Sequence, residues 1–289
     1  MIKQLPYSLG CPAWSIPEWR GTFLPTTTVQ RDFLSAYSQV FNTVEGNSFF
    51  YALPPIDVVR RWAKQSAEGF EFCMKMPRDL SHAQRLLADG SVYQALKERL
   101  EILKDSDRLG PTFLQLHASF GPSRLGELFA FVDAWPDHLP LAVEVRHEAF
   151  FRPGRARSDL YSGLRHAKVD RVTFDSRALF STPPADPIEE ESQGRKPHLP
   201  VEWTVTGMRP FVRFVGRNDI QQVDPWQAEV AEIVAAWIRE GRRPYVFMHT
   251  PDDTFAPKLC QRFHALVRER LPDLPTLKFP EVESQLRLL

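Results

Sequence analysis

Short apolar runs alternate along the chain with longer stretches in which apolar residues recur at steps of three and four. The first pattern suits half-buried or buried strands, the second amphipathic helices. On this reading strands fall at 7–11, 43–47, 70–76, 112–116, 141–145, 171–174, 211–215 and 245–248. Helices fall at 29–40, 56–65, 92–103, 123–134, 158–166, 225–238 and 257–270. The first helix carries Val29, Phe33, Tyr37, Val40 and the following Phe41 on one stripe, and Ser123 is placed to cap the fourth. A helix after nearly every strand predicts parallel pairing through crossover connections. Eight such units predict an α/β protein with a single (β/α)8 TIM barrel. A doubly wound open sheet is the alternative, weakened by the lack of a GxGxxG or Walker loop.

One segment breaks the rhythm. Residues 176–210 hold the acidic run Glu189-Glu190-Glu191, then Arg195, Lys196 and several prolines, with no strong helical period before Trp203. A stretch this long after strand six is expected to be a lid or a flexible insertion. No internal repeat or linker appears, so residues 1–289 are expected to form one domain.

Composition narrows the function classes. The chain has 36 basic and 36 acidic residues, a formal net charge of zero. That argues against a general polyanion binder while leaving room for a local basic cleft. Three scattered cysteines (Cys11, Cys73, Cys260) without CxxC spacing suit neither a disulfide framework nor a cysteine zinc site. The opening MIKQLPYSLG has no apolar signal core and no stretch is long enough to span a bilayer. A cytoplasmic protein without a membrane partner is the expectation. Of the basic residues 27 are Arg and nine Lys, a bias that suits anion recognition but is more simply genomic.

Barrels of this kind place their active sites at the carboxyl ends of the strands, and strand residues alternate between two faces. Polar residues recur on one parity at those ends: Glu45 with Asn47, Cys73 with Lys75, Gln115 with His117, Glu144 with Arg146, Thr173 with Asp175, Arg213, and His249. Leaving these ionisable groups buried without partners would cost several kcal/mol each. They therefore form either a paired polar plug or a ligand-binding mouth. His82 falls on the same rim. Trp14 and Trp19 follow strand one and could stack on a ring or simply pack.

Six segments together carry a resemblance. They are LGCPAWSIPEWRG (9–21), TVEGNSFFYALP (43–54), FEFCMKMPRDLSH (70–82), LAVEVRH (141–147), FVRFVGRND (211–219) and YVFMHTPDD (245–253). The chain resembles the YecE-like domain-of-unknown-function family, number seventy-two, from Leu9 to about residue 265. The resemblance implies a single TIM-barrel domain and no activity. Its motif positions fall on Glu45, Asn47, Lys75, Pro77, His82, Gln115, Glu144, Arg146, His147, Asp175, Arg213 and Gly216. Val215-Gly216 stands where many members have His-Gly, and His249-Thr250 where many have Asn-Asn. Roles resting on those groups do not carry over.

The first functional expectation is an enzyme acting by acid–base chemistry on a small polar, anionic ligand such as a phosphorylated sugar. Lys75, Arg146 and Arg213 would hold the anion, and Glu45, Glu144, Asp175, His82 or His249 would move protons. Asn47, Gln115, His147 and Trp14 would help bind substrate. A divalent metal could use Glu45, Glu144, Asp175 and His249. No metal-ligand spacing such as HxxH exists and cations share the face, so no cofactor is expected. The alternative is a non-catalytic ligand- or nucleic-acid-binding barrel, prompted by fold-level likeness to the endonuclease IV group and by Arg152, Arg155, Arg157, Arg195 and Lys196. Lys75 reads as an ion-pair partner of Glu45 or Glu144, with a Schiff-base lysine as the sharper alternative. Cys11 reads as a small core residue.

Overall fold

The computed structural model describes residues 5–281. Residues 1–4, part of the segment read as lacking a signal core, lie outside the described residues. Among the described residues there are eight strands: β1 (Ser8–Gly10), β2 (Thr43–Gly46), β3 (Glu71–Met74), β4 (Thr112–Gln115), β5 (Leu141–Glu144), β6 (Asp170–Asp175), β7 (Phe211–Val215) and β8 (Tyr245–His249). Among the described residues ten α-helices accompany them: α1 (Phe33–Ser38), α2 (Ser48–Tyr51), α3 (Ile56–Gln65), α4 (Arg78–Ser81), α5 (Gly90–Asp105), α6 (Leu125–Asp133), α7 (Arg155–His166), α8 (Pro187–Arg195), α9 (Asp224–Arg239) and α10 (Ala256–Arg270). No helix among the described residues is long and apolar enough to cross a membrane.

Every strand pairs parallel to its neighbours, because each connection carries the chain back along a helix or loop before the next strand starts. Six strands form a curled sheet in the order β1-β8-β7-β6-β5-β4, and β2 pairs with β3 in a second, two-stranded sheet. The two sheets meet through a few isolated hydrogen bonds rather than full ladders. Glu45 N–H donates to the Cys11 carbonyl at 3.0 Å, and Met76 N–H donates to the Phe113 carbonyl at 3.0 Å. Gly10 permits the first of these approaches, since a Cβ there would press into the Thr43 carbonyl oxygen. The result is an α/β, TIM-barrel-like architecture with one face of each strand turned inward.

The inner face is filled below by Cys73, Phe113, Ala142, Val172, Phe211, Tyr245 and Phe247, all buried. The rings of Phe113 and Phe247 lie 5.3 and 4.9 Å from that of Phe211, an aromatic plug that floors the space above it. The outer faces of the strands and the apolar stripes of the helices form the main core, which includes Trp19, Tyr37 and Phe72.

The structure corrects two expectations. β6 faces the other way from its sequence reading. Its register pairs Phe174 with Arg213 and Val172 with Phe211, so Val172 and Phe174 point inward and Thr173 and Asp175 outward. In addition, the segment read as lacking helical period contains α8. The Asp186 side chain accepts the Glu189 N–H at 2.8 Å and Pro187 opens the first turn, a local start signal. The buried residues of α8 are Glu189 and Ser192, so it has no apolar stripe for periodicity to reveal.

Candidate functional site

Above the aromatic floor, at the carboxyl ends of the strands, lies a connected polar cluster. Arg213 on β7 is its centre. Its Nε and Nη2 donate to both oxygens of Glu45 on β2 at 2.7 and 2.8 Å, and its Nη1 donates to Glu144 on β5 at 2.7 Å. All three side chains are at most 5% exposed. A bidentate fork matches the carboxylate geometry and satisfies charges that would otherwise be stranded in the interior. The guanidinium also rests 5.3 Å from the ring centres of Phe113 and Phe174.

The remaining lone pairs of the carboxylates are used as well. Glu45 accepts from Asn47 Nδ2 at 2.9 Å and meets His249 Nε2 at 3.0 Å. Glu144 accepts from Gln115 Nε2 at 2.9 Å and from Arg146 Nε at 2.7 Å. Burial alone would raise both carboxyls. The Arg213 charge overrides it, with His249 helping at Glu45 and Arg146 at Glu144. Glu45 ends well below the usual carboxylate range and Glu144 at about 2. Both are fixed anions, and both are saturated.

Lys75, just beyond β3, breaks the expected pairing. Among the described residues it makes neither an ion pair nor a side-chain hydrogen bond, because Arg213 already holds both carboxylates. Its Nζ sits 3.7 Å from the centre of the Phe50 ring on α2. Burial and then the Arg213 charge push its pKa down to about 7, against the pull of Glu144 and Glu45. His82, at the end of α4, flanks the same Phe50 ring at 5.3 Å and hydrogen-bonds Ser81 Oγ through Nδ1 at 2.9 Å. Burial and the nearby His117 and Lys75 hold His82 near 4, so its ring is neutral at ordinary pH.

A further carboxylate reaches the mouth from a loop. Asp253 Oδ1 lies 3.9 Å from His249 Nδ1, so the imidazole stands between two carboxylates, and burial raises the Asp253 carboxyl. Lys196, from the segment after α8, has its pKa lowered by burial and senses the charges of Asp253, Arg213 and Glu45. The insertion is anchored by a buried pair: Glu189 accepts from Arg217 and from the Asn218 N–H.

Of the candidate residues, Glu45, Asn47, Gln115, Glu144, Arg146, Arg213 and His249 form one hydrogen-bonded cluster, with Lys75 and His82 on its rim. Three fall elsewhere. Asp175 is on the opposite face of β6, where Arg177 clasps it through Nε at 3.0 Å and Nη2 at 2.8 Å. Trp14 packs edge-on against Trp62 of α3 and Phe72 on the outer face of β3, at 5.0 and 5.8 Å. His147 caps a short 3-10 turn by accepting the Ala149 N–H at 3.2 Å. Cys11 is buried, its Sγ 3.7 Å from that of Cys260.

The metal set is broken up too. Asp175 faces away, and Glu45 and Glu144 are taken by Arg213; no three His, Cys, Asp or Glu side chains among the described residues group to hold an ion. The arginines that prompted a nucleic-acid reading are each paired: Arg152 with Glu148, Arg155 with Asp159, Arg157 with Glu202, and Arg195 with Glu191. Phe50, Phe174 and Asp253 were not singled out from the sequence. Asp253 had a signal, standing four residues after His249.

Comparison with known proteins places the chain. The family model described as "Protein of unknown function DUF72" matches residues 8–283. UPF0759 protein YecE of Escherichia coli K12 is 35% identical over 266 residues, covering 92% of this chain and 94% of that one. UPF0759 protein YunF of Bacillus subtilis is 28% identical over 137 residues, 45% of this chain and 48% of that one. A DUF72 family protein from Enterococcus faecalis V583 shares the fold with a TM-score of 0.69 at 17% identity, covering 96% of this chain and all of its own. One from Thermotoga maritima MSB8 does so with a TM-score of 0.67 at 22% identity, covering 91% and 99%. With the family model spanning nearly its whole length, this chain belongs to the DUF72 family of proteins of unknown function.

Proposed function

We propose that the chain is an enzyme that binds a small polar anion, a carboxylate or phosphorylated sugar-like compound, at the mouth of a closed, single-domain (β/α)8 barrel. Closure is supported by the hydrogen bonds that join β2 to β1 and β3 to β4. The observation that carries the ligand class is the uneven pairing of charge. Arg213 and Arg146 together balance the two fixed carboxylates, Arg146 through its Nε alone, while Lys75 has no anionic partner among the described residues. The outer edge of Arg146, beside Phe174, and the Lys75 amine, over Phe50, then offer two cationic groups at the rim. An anion entering there gains charge-assisted hydrogen bonds without displacing an internal pair.

The roles follow from protonation. Glu45, Glu144 and Arg213 form a rigid electrostatic base that never changes charge near neutral pH. Lys75, with its pKa near 7, exchanges a proton there and serves as the acid–base group. Neutral His82 has Nε2 free of protein partners among the described residues and donates or accepts beside it. His249, held between Glu45 and Asp253, orients Glu45. Titration calorimetry with inorganic phosphate tests the reading. Binding by the wild-type chain that weakens about tenfold or more in Lys75→Met and in Arg146→Met, one lost charged contact each, supports it. Equal affinity in all three chains overturns it.

A further inference from the structure

The same site points to a sharper chemistry, and the inference rests on the anion-binding reading above. We propose that Lys75 is a covalent catalyst that forms an imine with the carbonyl carbon of an anionic aldehyde or ketone, its acid group held by Arg146.

Three observations converge. First, the ion pair that would keep this lysine an inert ammonium is missing: the two carboxylates within reach of the cluster are both locked onto Arg213. Second, the amine is buried over the Phe50 ring, and although the ring face favours the cation, burial and the charges of Arg213 and Arg146 outweigh that pull and free a lone pair. Third, a neutral imidazole, His82, borders the same ring and can carry protons to and from the departing oxygen. A lysine used only for charge would be better served by a carboxylate neighbour that keeps it protonated.

The step balances without an oxidant or reductant. The Nζ lone pair of neutral Lys75 adds to the carbonyl carbon, and the C=O π pair moves to oxygen, which takes a proton. The nitrogen loses one proton, the carbinolamine hydroxyl takes another and leaves as water, and the nitrogen lone pair forms the C=N bond. Overall the neutral amine, a carbonyl and one proton yield a protonated imine and water, with charge conserved. The protonated imine is an electron sink that eases cleavage or proton removal at the adjacent carbon.

The test is borohydride trapping on the full chain. Glyoxylate and glycolaldehyde phosphate are the probes, and sodium borohydride reduces any imine to a stable secondary amine located by peptide mass spectrometry. A lysine half neutral at pH 7 has about a thousandfold more free amine than an ordinary exposed one, so label on Lys75 is expected to exceed that on exposed Lys64 by about tenfold or more. Inorganic phosphate suppresses it. Lys75→Arg, which keeps the cation and cannot form an imine, is expected to bind phosphate and lose the label. If phosphate binds with Lys75-dependent affinity yet Lys75 is labelled no more than Lys64, or Lys196 is labelled instead, the imine is overturned and the anion site stands. If neither phosphate binding nor Lys75 labelling occurs, both fall.

Discussion

Replacing Arg213 by Met tests the electrostatic base of the site. Methionine keeps the packing against Phe113 and Phe174 and removes the charge that holds Glu45 and Glu144. In the wild type these carboxyls lie below their ordinary range, Glu144 at about 2 against an unperturbed 4.5. Their contribution is therefore fully present above about pH 4.5 and is lost as pH falls toward 2, and for Glu144 it amounts to about 3 kcal/mol. In the variant, burial acts unopposed by the fork, the carboxyls titrate above their ordinary range, and the native state is penalised as pH rises through 4.5. The stability gap between the two chains is expected to be about 3–5 kcal/mol at pH 7 and less than about half of that at pH 3. Urea unfolding across this range measures it. Converting Glu45 and Glu144 to Gln in the same chain is expected to recover most of the loss, since it removes the stranded charges. A gap below about 1 kcal/mol, or one that does not change with pH, would refute the reasoning.

Lys75→Met should stabilise the protein. The lysine pKa is lowered from 10.5 to about 7, so its penalty is full below pH 7 and fades as pH rises to 10.5. A gain of about 2–4 kcal/mol in urea unfolding at pH 6, vanishing near pH 10.5, is expected. Glu189→Ala strands buried Arg217 and is expected to cost about 3–5 kcal/mol and to open 176–210 to limited proteolysis. Asp175→Asn breaks the clasp of Arg177 and lowers Tm, yet leaves phosphate affinity within about twofold, because Asp175 faces away from the mouth.

What the sequence could reveal depended on whether a signal was local. Strand spacing gave all eight strands, because apolar runs and crossover lengths are local properties. Parity placed Glu144, Arg213 and His249 together, because each shares a face with an apolar residue two positions away that the core requires, as Ala142 is to Glu144, and it placed Glu45 opposite apolar Val44. Parity failed at β6, where the inner residues Val172 and Phe174 are apolar and the polar ones face out. Thr173 finds the Glu202 carbonyl at 2.8 Å and Asp175 finds Arg177. Only the cross-strand register with β7 settles that choice. Ion pairing was illegible for the same reason: Arg213 reaches across 168 residues to Glu45 and 69 to Glu144, and only their geometry shows that Lys75 is left out. α8 escaped because its buried contacts are polar.

The most direct test of the central claim is anomalous diffraction from crystals soaked in tungstate, a tetrahedral oxyanion. The account expects a peak at the barrel mouth within hydrogen-bonding reach of Lys75 Nζ and the free edge of Arg146, absent from Lys75→Met crystals. Tungstate ordered only elsewhere on the molecule, with the mouth empty, would contradict it.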